Sequence, residues 1–205
     1  MPDGDIKSRE QLEDYYGQPK GHLSRKELPK LNQHSKHFIS LSPFLVLSTS
    51  AANDGPADAS PRGDAPGFVR VLDDITIAIP DRPGNRRTDS FHNIMENPEV
   101  GLVFMVLGML EVLRINGRAR LTTDAELLAT LEAQGKLPRA ALVVDIRDVY
   151  IHCGKAIIRA DLWNPEAQID RKDFPSMGQI NQDWYGVDGK MVDEKLAKDY
   201  VDTLY

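Results

Sequence analysis

From Phe44 onward the apolar residues fall into short runs broken by polar turns: FLVLST, FVRVL, ITIAIP, VGLVFMVL, EVLRINGRARL and ALVVDIRDVYIHC. Runs of this length, rich in Val, Ile and Leu, predict six β-strands, with Asn53-Asp54-Gly55-Pro56 and Asp73-Asp74 as turn signals between them. The fifth run sets Val112, Arg114, Asn116 and Arg118 against Leu113, Ile115, Gly117 and Ala119. One face is apolar and the other polar, which is what the wall of a barrel requires. Two helical stretches interrupt the strands: TDSFHNIMENP, ended by Asn97-Pro98, and TTDAELLATLEAQG, stopped by Gly135.

The flanks differ in texture. Ser8 with Gln11, and Ser24 with Glu27, have the spacing of a capping box and predict two N-terminal helices. The second carries Leu28, Leu31, Ser35 and Phe38 down one side, with Pro29 near enough to its start to be tolerated. Residues Asn164 to Ser176 are polar and punctuated by proline, so a loop is expected there. MVDEKLAKDYVDTLY then places Leu196, Tyr200, Val201 and Leu204 at helical spacing, a stripe able to dock on its own core or on a partner chain. The division expected is residues 1–40 as helices packing on the barrel, 41–163 as the barrel, and 164–205 as a loop and helix extending the same domain.

Composition narrows the classes. With 205 residues, 41% hydrophobic and 27% charged, the chain has enough apolar material for one folded domain. A net charge of −6 disfavours broad affinity for nucleic acid or anionic lipid. The most apolar stretch, Val100 to Leu110, is far shorter than the roughly 20 residues that span a bilayer, so no membrane partner is expected. The start MPDGDIKSREQLEDYYG is polar and acidic, unlike a secretory signal, and Cys153 is the only cysteine, so no internal disulfide can form; a cytoplasmic location is expected.

Against that acidic background, IPDRPGNRRTDSFHNI gathers Arg82, Arg86 and Arg87 around Pro83-Gly84. A solvated turn is one reading. The other is an anion site, in which Asn85 caps a helix starting near Arg86 and the helix amides and guanidinium forks meet a phosphate. A second Arg-bearing turn, ASPRGDAPGF, strengthens the anion reading, because successive strand ends of a small barrel can bring two turns to one place. The run ITIAIP would then line a slot for a flat ring whose tail carries the phosphate. No Walker loop and no Gly-x-Gly-x-x-Gly fingerprint is present. His34 and His37 lack a third metal ligand nearby, and His152-Cys153 lacks the partners of a nucleophilic site; a cysteine at a strand end is ordinarily a packed small hydrophobe. Arg159 and Trp163 are either an exposed cation and a wedged ring, or a lid over the ring pocket.

The segments SPFLVLST, DASPRGDAPGFVRV, IPDRPGNRR with NIMENPEVGLVF, LRINGRARL and HCGKAIIRADLW together resemble the FMN-binding split-barrel proteins related to pyridoxamine 5′-phosphate oxidase, over about His34 to Trp163. The resemblance implies a mainly β, α+β fold: a six-stranded antiparallel split barrel with flanking helices, paired as a homodimer with FMN at the interface. It implies that Arg62 with Asn85, Arg86 and Arg87 holds the FMN phosphate. Ser60, Gly63, Ile79, Pro80 and Asp81 would skirt the ring and ribityl chain, and Arg159 and Trp163 would reach in from the second subunit. The function implied is an FMN-dependent oxidoreductase acting on a small molecule; a non-catalytic FMN carrier or sensor is the alternative, and a deazaflavin or haem in the same barrel is a third. The chain lacks the Trp-Arg-Leu-His-Asp-Arg ending and the Tyr-x-x-x-Arg-x-x-x-Ser segment of the true oxidases, which speaks against vitamin B6 oxidation.

Overall fold

A computed structural model describes residues 4–21, 27–53 and 55–205. Its strands are β1 (Phe44–Ser50), β2 (Ala57–Gly63), β3 (Arg70–Val71), β4 (Thr76–Pro80), β5 (Glu99–Met105), β6 (Val112–Thr122) and β7 (Ala141–His152), joined antiparallel in the order β2-β1-β5-β6-β7-β4-β3. The strands therefore number seven rather than the six read from the sequence. The extra one is β2, taken from the sequence as an Arg-bearing turn; ADASPRG has no apolar alternation because it lies on the sheet's edge, paired only with β1, with Leu45 opposite Arg62. An edge strand tolerates Pro61, whose missing N–H leaves no ladder bond unmade. FVRVL, in contrast, contributes only the two residues of β3.

Alternate residues of the strands point into one core. Leu45, Leu47, Ile77, Phe104, Leu113 and Ile115 are fully buried there, joined from the helix Gln33–Leu41 by Phe38 and Ile39. The opposite face of β4 and β7 supplies a smaller cluster, Ala78, Ala141 and Val143, covered by Leu128 of the helix Ala125–Ala129 and by Leu131. The β6 alternation emerges as read, with Leu113, Ile115, Gly117 and Ala119 inward.

The β6–β7 ladder slips one residue between Asn116 and Gly117. At this bulge a Cβ on Gly117 would overlap the main-chain carbonyl of Asp145. Backbone cannot swing aside as a flexible side chain can, so Gly117→Ala is expected to cost about 1–3 kcal/mol, read as a lower urea midpoint with unchanged slope. An unchanged midpoint would show that the bulge has room.

The helices are α1 (Arg9–Tyr16), α2 (Gln33–Leu41), α3 (Asp89–Glu96), α4 (Ala125–Ala129), α5 (Lys155–Arg159), α6 (Met177–Tyr185) and α7 (Gly189–Asp202). Ser8 caps α1 by accepting from the Gln11 N–H at 3.1 Å, while the Gln11 side chain accepts from Lys7 N–H; α1 buries none of its residues. Helix α2 starts later than the sequence suggests: its cap is Asn32, whose Oδ1 accepts from His34 and Ser35 N–H at 2.9 and 3.0 Å. Ser24 lies outside the described residues. Leu28 is extended and exchanges two 2.9 Å main-chain bonds with Val149. The reason is local, since a residue preceding proline is pushed out of the helical region.

Helix α4 stops at Ala129, well short of Gly135. The chain turns tightly between Ala133 and Lys136, with Gln134 and Gly135 both at positive φ. Beyond α5, the stretch from Asn164 holds two short 3-10 turns. A helical hairpin then follows in which α6 was not anticipated. Asp193 of α7 ties it by accepting from Ser176 Oγ at 2.6 Å and Gly178 N–H at 2.7 Å. Of the apolar stripe on α7 and just beyond, Tyr200, Val201 and Leu204 are exposed, so it does not dock on the core of its own chain. Among the described residues no helix is long and apolar enough to cross a membrane.

Candidate functional site

In the strand order, β2 is at one end of the sheet and β4 with β3 at the other. Those ends meet. Arg82, just past β4, places Nε 2.6 Å from Asp64 Oδ2, just past β2. The side chains are 16% and 3% exposed, so this part-buried ion pair ties the two ends of the curled sheet together. Burial alone would push the Asp64 carboxyl up; hydrogen bonds from Tyr205, Ala65 N–H and Arg82 outweigh it and hold the group below the usual carboxylate range. Arg82 was read as part of the anion mouth; it is instead committed to the seam.

Arg62 points toward the same seam. Its Nη1 donates to Ser60 Oγ at 2.5 Å and to the Pro61 carbonyl at 3.0 Å, and its guanidinium lies 5.9 Å from the Phe91 ring centroid on α3. Burial lowers its pKa, opposed by the charges of Asp81 and Asp58. Asp81 is shifted the other way: burial raises it, against the pull of Arg62 and Arg139. No carboxylate of the described residues forms an ion pair with Arg62. A half-buried cation with spare donors is an anion receptor in waiting.

The loop after β4 completes the cluster. Asn85 does not cap α3, as the sequence suggested; its Oδ1 accepts from Arg87 N–H at 2.9 Å, turning the loop locally. The helix begins three residues later, behind Thr88, which makes no side-chain capping bond. Arg86 sits at φ +63°, and its guanidinium forms no hydrogen bond or ion pair with a described residue. Arg87 Nε meets Asp89 Oδ2 at 2.9 Å in the open, with 75% of its side chain exposed, so that pairing is easily exchanged for another anion. Arg62 lies against Phe91 in the first turn of α3, the helix that follows Arg86 and Arg87, so the strand arginine and the loop arginines flank one helix start. Ser90 Oγ donates to Asp58 Oδ2 at 2.7 Å and fixes the start of α3 against β2.

The remaining candidates are placed as follows. Ile79 and Pro80 are buried, Ile79 in the main core, while Gly63 is exposed at the end of β2. Trp163 Nε1 donates to the Met109 carbonyl at 2.6 Å, pinning the chain beyond α5 to the β5–β6 turn; Arg159 is exposed. Pro80 pairs with Ala141 at the start of β7, whereas Arg159 and Trp163 follow its end. Within one chain they do not join Arg86 and Arg87. Cys153 is exposed rather than packed. The site residues missed by sequence reasoning are Asp58, Asp64, Ser90 and Tyr205. The only hint was that Arg62-Gly63-Asp64 and Asp81-Arg82 each carry both charges, and nothing local pairs one segment with the other.

The fold is thus an antiparallel split barrel with Arg82 at the meeting ends of its sheet. A family model described as pyridoxamine 5′-phosphate oxidase matches residues 31–153, more than half of the chain and every strand of the barrel, and the chain belongs to that family. Three similar solved structures are HupZ of Group A Streptococcus (21% identity over 59% of this chain and 93% of that one, TM-score 0.48), general stress protein 26 of Bacillus anthracis (16%, 58% and 94%, 0.43), and an FMN-binding protein of Syntrophomonas wolfei (12%, 57% and 80%, 0.42). No curated protein matches the chain.

Proposed function

We propose that this protein is an FMN-dependent oxidoreductase working as a homodimer. The observation that carries the reading is that Arg62 lies 5.9 Å from the Phe91 ring and Ser90 binds Asp58, which sets the strand arginine against the start of α3, the helix that Arg86 and Arg87 lead into, with the Arg86 guanidinium unpartnered among the described residues. These donors fit the FMN phosphate: three guanidinium groups, the Ser60 hydroxyl and the uncapped start of α3 offer more charge-assisted bonds than the chain itself uses. Asp58 opposes the anion, and its bond from Ser90 holds one of its oxygens on α3.

Arg62, Arg86 and Arg87 would grip the phosphate, with Asn85 holding the loop in shape. Gly63 and Asp81 would stand beside them, with the buried Ile79 and Pro80 as the floor behind. Arg159 and Trp163, beyond the other end of β7, would serve the same pocket of a second subunit, which is why a dimer is part of the proposal. When bound, FMN supplies the two-electron redox chemistry, and the protein supplies binding, orientation and electrostatics. The donor is a small molecule, a reduced nicotinamide being the first to try. The segment after residue 153, beyond the range the family model matches, would shape the substrate side.

Purified protein is expected to be yellow, to release FMN on denaturation as judged by spectrum and mass, and to lose its flavin absorbance when mixed anaerobically with NADH or NADPH. A colourless protein that takes up no added FMN would defeat the proposal. FMN bound tightly yet never reduced by a broad donor panel would point to a carrier or sensor, the reading favoured if the absence of an acid–base pair beside Arg62 and Arg86 is the decisive feature.

A further inference from the structure

The FMN reading makes no use of what sits on Asp64. This carboxylate is almost wholly withdrawn from solvent, yet Oδ1 accepts two bonds: from Ala65 N–H at 2.7 Å and from the Tyr205 hydroxyl at 2.6 Å. Arg82 occupies Oδ2 and lies 5.8 Å from the centroid of the Tyr205 ring. Lys136 Nζ holds the Tyr205 main-chain oxygen at 2.6 Å. A phenol is thus read at two points, its hydroxyl by a carboxylate and its ring by a cation. Beside it lies an open groove of about 210 Å³ lined by Phe68, Arg70 and Leu131, among others.

We infer that Asp64 and Arg82 form a binding site for a hydroxylated aromatic ring, which Tyr205 fills as a ligand tethered in the same chain. The geometry favours a phenol over a plain arene. Without a hydroxyl donor, the buried Oδ1 loses one of its two partners, and a site built around such a bond rejects the analogue that lacks it. It favours displacement as well, because Tyr205 follows α7, whose outer residues Tyr200 and Val201 are exposed, so the tether gives up little packing on leaving. The inference does not rest on FMN binding. Its residues are the seam pair and Tyr205, not the arginines of the loop.

The test uses full-length wild-type and Tyr205→Ala proteins, with p-fluorophenol and fluorobenzene followed by fluorine NMR. A tether presents its ligand at roughly millimolar effective concentration, so removing the Tyr205 side chain is expected to tighten p-fluorophenol binding by about tenfold or more. In the same variant, p-fluorophenol should outbind fluorobenzene by a similar factor. Equal p-fluorophenol affinity in the two proteins overturns the inference, as does a variant that binds both probes alike. Tyr205→Ala removes a hydrogen bond to the Asp64 carboxylate, so its thermal midpoint should fall by a few degrees; both titrations are run well below that midpoint, where circular dichroism shows each protein folded.

Discussion

Arg82→Ala should destabilise the fold by about 1.5–3 kcal/mol, the worth of a hydrogen bond to a charged group at a part-buried carboxylate. Removing the guanidinium leaves the Asp64 carboxylate at 3% exposure without its cation, and the desolvation penalty of that charge is then no longer offset. Replacing both partners, as Arg82→Met with Asp64→Leu, should restore most of the loss, since a buried pair contributes little relative to apolar groups of the same size. The exposed pair Arg120–Asp145 provides the contrast: at 2.8 Å it is nearly as short, but Arg120→Ala should change stability by only about 0.2–1 kcal/mol. Urea unfolding of the three variants beside the wild type decides the matter. A loss for Arg82→Ala no greater than for Arg120→Ala would mean that the pair is not what ties the ends of the sheet together. The pair also sets an acid limb. Because the folded pKa of Asp64 lies below its unfolded value, its contribution is complete above about pH 4 and fades as the pH falls through the folded pKa.

The second large effect is on cofactor affinity. Arg86→Ala with Arg87→Ala should weaken FMN by roughly two to four decades, about one to two for each lost bond to a charged phosphate. Both side chains are exposed, so the apoprotein's stability should be nearly unchanged, which separates lost binding from lost folding. Riboflavin, which lacks the phosphate, should bind wild type and double variant alike. Titration calorimetry on the stripped proteins supplies the numbers. Equal FMN affinity in wild type and double variant would remove the loop from the phosphate site, whatever the spectrum of the purified protein shows.

Much of this was readable in advance because the barrel's inner wall is written in alternation. Leu113, Ile115 and Ala119 turn inward because every second residue of a strand faces the same way, and no distant residue is needed to know it. Strand β2 was invisible for the opposite reason. At the sheet's edge it buries too little to show a pattern, and its membership depends on the main-chain bonds of β1. The start of α2 was misplaced because Ser24-x-x-Glu27 has the form of a cap, whereas Pro29 forces Leu28 into an extended bridge with a strand more than a hundred residues away.

The candidate site divides along the same line. A cluster of arginines around Pro83-Gly84 is a property of neighbours in the chain, and it points to an anion before any fold is known. Which arginine is free to hold one is a property of space. Arg82 is consumed by Asp64, Arg87 is loosely held by Asp89, and Arg62 arrives from a strand that local patterning did not reveal.

The sequence by itself determined the alternating wall of the barrel, the helices that follow their own caps, and the concentration of positive charge after β4, since each depends on residues within a few positions of one another. Only the tertiary structure decided which ends of the sheet meet, which cation is spent in closing them, and that Tyr205 lies against Asp64. Closure brings together groups 18 and 141 positions apart, and no short-range periodicity records a contact of that span.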